Sequence, residues 1–386
     1  MRSRDGQAAA DYAAVLLVVV AVLLVGAAVA VPGVGERVVA AMRTGVCLVG
    51  GDICRDADAR AAGLSPCVTS SRETGSESAV TVLSMRVGED GRWSVDVQSD
   101  GSAVVTRTDG RSLGASVGLG FGYSPIGLDV GADGNVGVVR RSASSWRFRD
   151  AAAARRFLDR ALGPEPFAID GIEPDERWQA FGASSEGTIG GSVGVEPGIK
   201  DISVEREVAS AGGGASAEGL VGKRTGGGRT TWFFQKTLDD PHVYASLPTW
   251  ESSAGPSREA LIEYTIDAAG PRELLIRSAR SGDGQTEEVT ARLDLRDPGI
   301  RARVTAGPPW PPAAVRGLAR LAMDRGVVER QVYTVDDRSS DFELAGKVGL
   351  AFGVEHTRVD VRSRLADAEV WIAGSGPRRR EDCLIS

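Results

Sequence analysis

The feature that most constrains this chain of 386 residues is an uncharged segment near its start, Ala13–Val31. The segment consists almost entirely of Ala, Val and Leu, and it ends directly before Pro32. At about 1.5 Å per helical residue, it is long enough to cross a bilayer core of roughly 30 Å. We therefore predict a transmembrane helix at the start of the chain.

The residues that flank this segment predict its orientation. Arg2 and Arg4 precede it, whereas Glu36 and Arg37 follow it and cancel each other. The positive-inside rule then favours a cytoplasmic N-terminus and an extracellular C-terminal domain, as in a single-pass protein of the cell membrane. A cleaved secretory signal is an alternative, because Ala28-Val29-Ala30 fits an Ala-x-Ala cleavage site, and a plain uncleaved anchor is another.

The run Gly6-Gln7-Ala8-Ala9-Ala10-Asp11-Tyr12 leads directly into the apolar segment. A glycine followed five residues later by a carboxylate and then a tyrosine resembles the type IVb prepilin motif. That motif belongs to the Flp pilins and TadE-like pseudopilins of tight-adherence (Tad) systems. The family usually carries glutamate where this chain has Asp11, and the resemblance covers only about the first 45 residues.

The resemblance implies a processing site and a set of partners. A prepilin peptidase would cut between Gly6 and Gln7, Asp11 would align the subunit in a filament, and Tyr12 would be its neighbour. The implied partners are the lipid bilayer, the prepilin peptidase and other pilin-like subunits. The chain has 45 basic and 52 acidic residues and no basic stripe, so no nucleic acid is expected as a partner.

Four cysteines predict disulfide bonds in the extracytoplasmic part of the chain. Cys47 and Cys54 flank a short loop that contains Gly-Gly-Asp, which favours their pairing and leaves Cys67 to pair with Cys383. The two other pairings remain open. A zinc site is not expected, because no histidine lies nearby and no Cys-x-x-Cys pair exists.

Asp-Gly pairs recur at Asp90-Gly91, Asp100-Gly101 and Asp109-Gly110, between segments of alternating apolar residues. Because Asp-Gly favours two-residue hairpin turns, the spacing predicts a meander of short antiparallel strands. Two helices are predicted, at Ala151–Leu162 after the capping residue Asp150 and at roughly Ala313–Arg325.

The predicted fold class is α+β: a transmembrane helix followed by a large antiparallel β-meander with two packed helices. The predicted divisions are a prepilin-like segment (1–45), a cysteine-containing linker (46–77), a first unit of sheet plus helix (78–170) and a second β-rich unit (171–386).

Candidate catalytic residues are few. Gly114–Gly118 and Gly190–Gly194 match the Gly-x-Ser-x-Gly pattern of hydrolases. In those hydrolases the serine of this pattern is the nucleophile; it lies on a sharp turn from a strand into a helix and acts with a catalytic base. Both matches lie in alternating strand patterns, and His242 and His356 are the chain's two histidines. We therefore predict no catalytic residue, no metal site, no cofactor and no enzymatic activity.

The function predicted from these features is structural: a membrane-anchored, extracytoplasmic, pilin- or pseudopilin-like component of a Tad-type pilus system. One alternative is a secreted or anchored β-rich protein that binds a polysaccharide or lipid of the cell envelope. Another is a β-protein that inserts into a membrane, which requires apolar residues on the outer face of its sheet.

Overall fold

The computed structural model describes residue 47 and residues 52–82, 85–117, 121–123, 128–130, 134–163, 171–188, 191–192, 210–211, 214–239, 257–304, 312–348, 350–372 and 376–384. The predicted transmembrane helix and the prepilin-like residues Gly6, Gln7, Asp11 and Tyr12 lie outside these ranges, as does His242.

Strands make up most of the described chain. They are β1 (Val68–Val82), β2 (Met85–Gln98), β3 (Ala103–Val117), β4 (Phe121–Tyr123), β5 (Leu128–Val130), β6 (Gly134–Phe148), β7 (Glu176–Thr188), β8 (Gly191–Ser192), β9 (Ser210–Ala211), β10 (Gly214–Gly226), β11 (Arg229–Asp239), β12 (Ser257–Asp267), β13 (Gly270–Gly282), β14 (Gln285–Asp294), β15 (Val327–Asp337), β16 (Ser340–Val348), β17 (Leu350–Ile372) and β18 (Arg378–Arg379). The helices are α1 (Asp56–Ala61), α2 (Ala151–Ala161), α3 (Pro298–Arg301), α4 (Pro312–Arg325) and α5 (Glu381–Leu384).

Twelve long strands form a closed antiparallel β-barrel. Their order around the ring is β1-β2-β3-β6-β7-β10-β11-β12-β13-β14-β15-β17, and the pairing of β17 with β1 closes it. β16 follows β15 on the same side of β17: β15 pairs with the second part of β17, and β16 pairs with its first part. Stepping from each residue to the one directly opposite on the next strand leads from Val354 of β17 through Val80 of β1 around the ring, and back to β17 at Glu369. Because the path does not return to its starting residue, the strands are staggered and tilted relative to the barrel axis, as closure requires.

The two faces of the barrel wall carry different residues. Asp96 of β2 and Arg277 of β13 interact electrostatically across the ring, which places this face of the sheet on the inside. The alternate residues Val87 and Leu113 point outward and are about half exposed. We call the inner space the lumen. Because side chains alternate along a strand, every strand contributes to both faces.

Two helices pack on the outer face near one end of the barrel. Asp150 caps α2 by accepting a hydrogen bond from the Ala153 amide at 2.7 Å, and Phe157 packs against Trp93 and Trp146. α4 covers the outer residues Leu274 and Leu293. We call this the helix end, and the opposite end, where β1 leads into β2, the loop end.

The predicted α+β fold, a meander with a transmembrane helix, is wrong for the described chain, because the strands form a closed barrel. Strands from both predicted β-units belong to this one sheet. Within the described ranges, no helix combines the length and apolar character needed to cross a bilayer. The two helices were located correctly: α2 spans Ala151–Ala161 and α4 spans Pro312–Arg325.

Two of the three predicted Asp-Gly turns are also wrong. Asp100-Gly101 is a turn, and Gly101 has a φ of 83°, but Asp90-Gly91 and Asp109-Gly110 lie within β2 and β3. Asp90 is directly opposite Gly110. The carboxylate of Asp90 occupies the space that a Cβ at position 110 would need, so this glycine permits close packing rather than a turn.

The predicted pilin-like role and the predicted location, a cell-membrane protein anchored by a single helix, are also corrected. A pilin displays its domain from a helix, whereas the described part of this chain builds a closed barrel with ion pairs in its interior. The type IVb resemblance itself lies in residues outside the described ranges and stays a prediction.

Candidate functional site

Paired charges line the lumen. Each pair joins an arginine to a carboxylate on another strand, so the pairs connect the wall from the inside. The closest nitrogen–oxygen distances are 2.6 Å for Arg86–Glu355, 3.0 Å for Arg92–Glu73, 3.0 Å for Arg141–Glu218, 2.8 Å for Arg224–Glu263 and 2.6 Å for Arg277–Glu259.

These pairs are only partly buried. The side chains of Arg277 and Glu259 remain 33% and 28% exposed although they lie inside the barrel. Removing an ion pair completely from water has a desolvation free energy that the attraction between the two charges often does not offset. A partly hydrated lumen lowers that cost, and the interior can therefore hold charged residues on most of its strands.

An apolar cluster narrows one side of the lumen. Leu220 and Phe233 are buried there on β10 and β11, and Trp178 of β7 packs edge-on against Phe233 with ring centroids 5.6 Å apart. Leu261 of β12 completes the contact. The lumen therefore has a charged sector and an apolar sector.

The segments before β1 and after β17 form a cap on the lumen side of the helix end. Arg380 is 1% exposed. Its guanidinium donates hydrogen bonds to Glu329 of β15 at 2.7 Å, to Asp382 at 2.8 Å and to the Ser65 carbonyl at 3.1 Å. Burial opposes the charge of Arg380, but its bonds to Asp382 and Glu329 outweigh burial and raise its pKa. The cap is therefore attached to the barrel wall by a buried, fully paired cation.

Both predicted disulfides are present. Cys47 pairs with Cys54, and Cys67 pairs with Cys383, with Cα atoms 5.9 Å and 5.6 Å apart. Cys67 and Cys383 are buried with Tyr333 of β15. This second disulfide joins the two halves of the cap.

The outer face carries a continuous group of exposed apolar side chains near the loop end. Val80, Val87, Leu113 and Val138 are directly opposite one another on four successive strands of the ring and are 43%, 51%, 52% and 44% exposed. Met85, 56% exposed, lies beside Val87 on β2. We call these five residues the outer patch. Such a cluster marks a surface that contacts lipid or a partner.

Charged residues border the outer patch on the side of the helix end. Glu89 and Arg111, the next outward residues on β2 and β3, form a 3.3 Å ion pair and are 70% and 81% exposed. The outer patch is therefore confined to the part of these strands that lies nearer the loop end.

His356 and Ser192, two of the candidates considered in the sequence, are not brought together. His356 lies on the outer face of β17, where its Nδ1 is 2.9 Å from the Ser78 hydroxyl. Ser192 lies in β8, apart from the barrel. Among the described residues, no group of His, Cys, Asp and Glu is arranged to hold a metal ion.

Neither the models of known families nor the curated proteins include a match to this chain. Among solved structures, a mutant porin of Rh. blastica is similar at 9% identity, with 75% of this chain and 98% of the porin covered and a TM-score of 0.18. The toluene transporter TodX of Pseudomonas putida is similar at 8% identity, with 76% and 89% covered and a TM-score of 0.16.

Proposed function

We propose that this protein is a membrane-inserting β-barrel with a water-accessible, charged lumen. The observation that carries the proposal is the division of chemistry along single strands. On β2, Arg86 points into the lumen and bonds Glu355, whereas its neighbour Val87 points outward in the outer patch. Lipid outside and water inside would satisfy both residues.

Closure of the barrel supports insertion. A backbone in hydrocarbon must satisfy every amide and carbonyl internally, which an open sheet cannot do at its edges. Here β17 pairs with β1, so each of the twelve ring strands in the described chain has two neighbours, whereas β16 has one. β1, β2 and β3 contain 15, 14 and 15 residues, more than the 9–11 or so that a tilted membrane strand needs.

The test is flotation of the purified full chain with phosphatidylcholine vesicles. We expect the wild-type protein to float, and the floating fraction of the double variant Val87→Lys/Leu113→Lys to be at least tenfold smaller. A lysine on the lipid face costs about 2–4 kcal/mol near the bilayer midplane. Neutral vesicles are used so that the added lysines gain no attraction to anionic lipid.

Met323→Lys is the matched control. Met323 is 45% exposed on the outside of α4, away from the outer patch, and this variant should float like the wild-type protein. Equal flotation of the double variant and the control would contradict a role for the outer patch in insertion.

A second candidate function is a barrel that binds a cell-envelope component without entering lipid. The exposed Glu89–Arg111 pair on the outer face favours it, because charges there are costly in hydrocarbon. Under this function, wild-type protein would stay at the bottom of the gradient with the vesicle-free control.

A further inference from the structure

A group of exposed aromatic, apolar and basic side chains lies on the outer face of four neighbouring strands, β6, β7, β10 and β11. Its members are Arg140, Phe181, Val221, Lys223 and Trp232, and we call them the basic aromatic sector. Phe181 is directly opposite Arg140 on one side and Val221 on the other, and Lys223 is directly opposite Trp232. Phe181, Val221 and Trp232 are between 42% and 55% exposed, so a partner can reach them from outside the barrel.

Each of the two cations in the sector lies over an aromatic ring. The guanidinium carbon of Arg140 is 5.3 Å from the ring centroid of Phe181, and the Lys223 ammonium is 5.5 Å from the ring centroid of Trp232. Both cationic side chains are exposed, and within the described chain neither has a carboxylate partner. Two accessible positive charges are therefore held beside apolar surface.

The sector also differs from the rest of the outer face in its charge. In the described part of these four strands, no carboxylate points outward. Glu176 and Glu218 lie on β7 and β10 but point into the lumen, where they pair with arginines. On β2, by contrast, the outward Glu89 pairs with Arg111 of β3. The basic aromatic sector is therefore positively charged, and a complementary partner is negatively charged.

The sector begins where the outer patch ends. Val138 belongs to the outer patch, and Arg140 lies two residues further along β6 toward the helix end. If the outer patch is in hydrocarbon, the sector starts at the boundary between hydrocarbon and water. Aromatic rings, and cations with apolar stems, are favoured in that region of a membrane.

Three kinds of partner can be compared. A second copy of the chain, placed by a twofold axis, would bring Arg140 and Lys223 of both copies together without a carboxylate between them. A neutral apolar segment would remove the two cations from water and supply no counter-charge. An anionic phospholipid supplies phosphate oxygens for the cations and an interface for the aromatic rings. The anionic lipid fits both features of the sector.

We propose that the basic aromatic sector binds the headgroups of anionic phospholipids. Arg140 and Lys223 contact the phosphates, and Phe181, Val221 and Trp232 lie among the glycerol groups and the upper acyl chains. The inference rests on the proposed membrane function, which sets the position of the bilayer along the barrel. It adds a preference for negatively charged lipid, which insertion of the outer patch alone does not require.

The test measures vesicle partition of the full chain by flotation over a series of lipid concentrations. One set of vesicles is phosphatidylcholine, and the other contains equal amounts of phosphatidylcholine and phosphatidylglycerol. A cation near an anionic membrane surface raises the partition constant about fivefold. We expect the mixed vesicles to raise the partition constant of the wild-type protein at least tenfold. The chain has 52 acidic and 45 basic residues, so its net charge would produce the opposite effect.

The double variant Arg140→Gln/Lys223→Gln should lose most of this gain and keep the wild-type partition into phosphatidylcholine. Arg140→Lys/Lys223→Arg retains both charges and should keep the gain. Circular dichroism should show the same β-sheet spectrum for all variants.

Arg320→Gln/Arg325→Gln is the matched control. It removes the same charge from exposed positions on α4, which packs over β13, β14 and β15, outside the sector. This variant should keep the full gain on phosphatidylglycerol. Light scattering in detergent should give the mass of one chain.

Failure of this inference is distinguishable from failure of the proposed membrane function. A wild-type protein that does not float with phosphatidylcholine contradicts the membrane function, whereas the gain on phosphatidylglycerol is read separately. Even then, flotation that requires phosphatidylglycerol and disappears in Arg140→Gln/Lys223→Gln would support the sector as the headgroup site.

Four results would overturn the inference. They are the absence of a gain on phosphatidylglycerol, a gain that survives Arg140→Gln/Lys223→Gln, an equal loss in the α4 control, and a dimer that Phe181→Ser dissociates. The third would show that net charge decides the binding, and the fourth would identify a second copy of the chain as the occupant.

Discussion

Cys67 and Cys383 are separated by 316 positions in the chain, yet their Cα atoms lie 5.6 Å apart. Cys67 directly precedes β1, and Cys383 follows the segment that returns from β17. These are the two strands whose pairing closes the ring. The disulfide therefore joins the chain at the same place where the sheet closes.

Loss of this disulfide should destabilise the protein more than loss of the other one. Under the chain-entropy model, a disulfide that closes a loop of this length stabilises the fold by about 6 kcal/mol, against about 2.5 kcal/mol for the short Cys47–Cys54 loop. We expect Cys67→Ser/Cys383→Ser to unfold at a clearly lower urea concentration than Cys47→Ser/Cys54→Ser. Equal midpoints for the two double variants would contradict the proposed closure at Cys67.

Arg380→Met should lower the free energy of unfolding by about 3–5 kcal/mol, because it leaves Asp382 buried without a cation and leaves Glu329 with Arg292 alone, at 3.5 Å. Arg338→Met is the matched control: Arg338 pairs with Asp336 at 2.7 Å, but both side chains are more than half exposed. An exposed pair contributes about 0–1 kcal/mol. The free energy of unfolding of both variants is measured by urea titration, with tryptophan fluorescence as the signal. A similar small loss of stability in each variant would show that the cap is not held by Arg380.

The lumen should conduct ions in a planar bilayer, and its wall should be open to modification. Thr108 points into the lumen, and its neighbour Asp109 points outward on β3. We expect an anionic methanethiosulfonate reagent to change the conductance of Thr108→Cys within minutes and to leave that of Asp109→Cys unaltered. The reverse pattern would mean that the faces of β3 are assigned the wrong way round.

Local structure was predictable wherever neighbouring residues decide it. Asp150 identified the start of α2 because its carboxylate caps the next turn, and Gly101 identified a hairpin turn because it adopts a positive φ. In Trp93-Ser94-Val95-Asp96, the alternation of apolar and polar residues correctly indicated a strand with two unlike faces.

Barrel closure was not predictable from such local signals. The pairing of Val80 with Val354 joins residues far apart in the chain, and no local pattern encodes it. Gly110 looked like a turn residue, because its true role depends on Asp90 of another strand.

The most direct measurement is cross-linking of β1 to β17. Ser76 and Arg358 are exposed and directly opposite each other, as are Glu89 and Arg111 on the adjacent hairpin. Directly opposite residues have Cα atoms about 4.5–5.5 Å apart, within disulfide range. A closed barrel predicts that Ser76→Cys/Arg358→Cys oxidises to an intramolecular disulfide as completely as Glu89→Cys/Arg111→Cys, seen by intact and peptide mass. A disulfide in the hairpin variant with free thiols in the Ser76→Cys/Arg358→Cys variant would show that the ring is open.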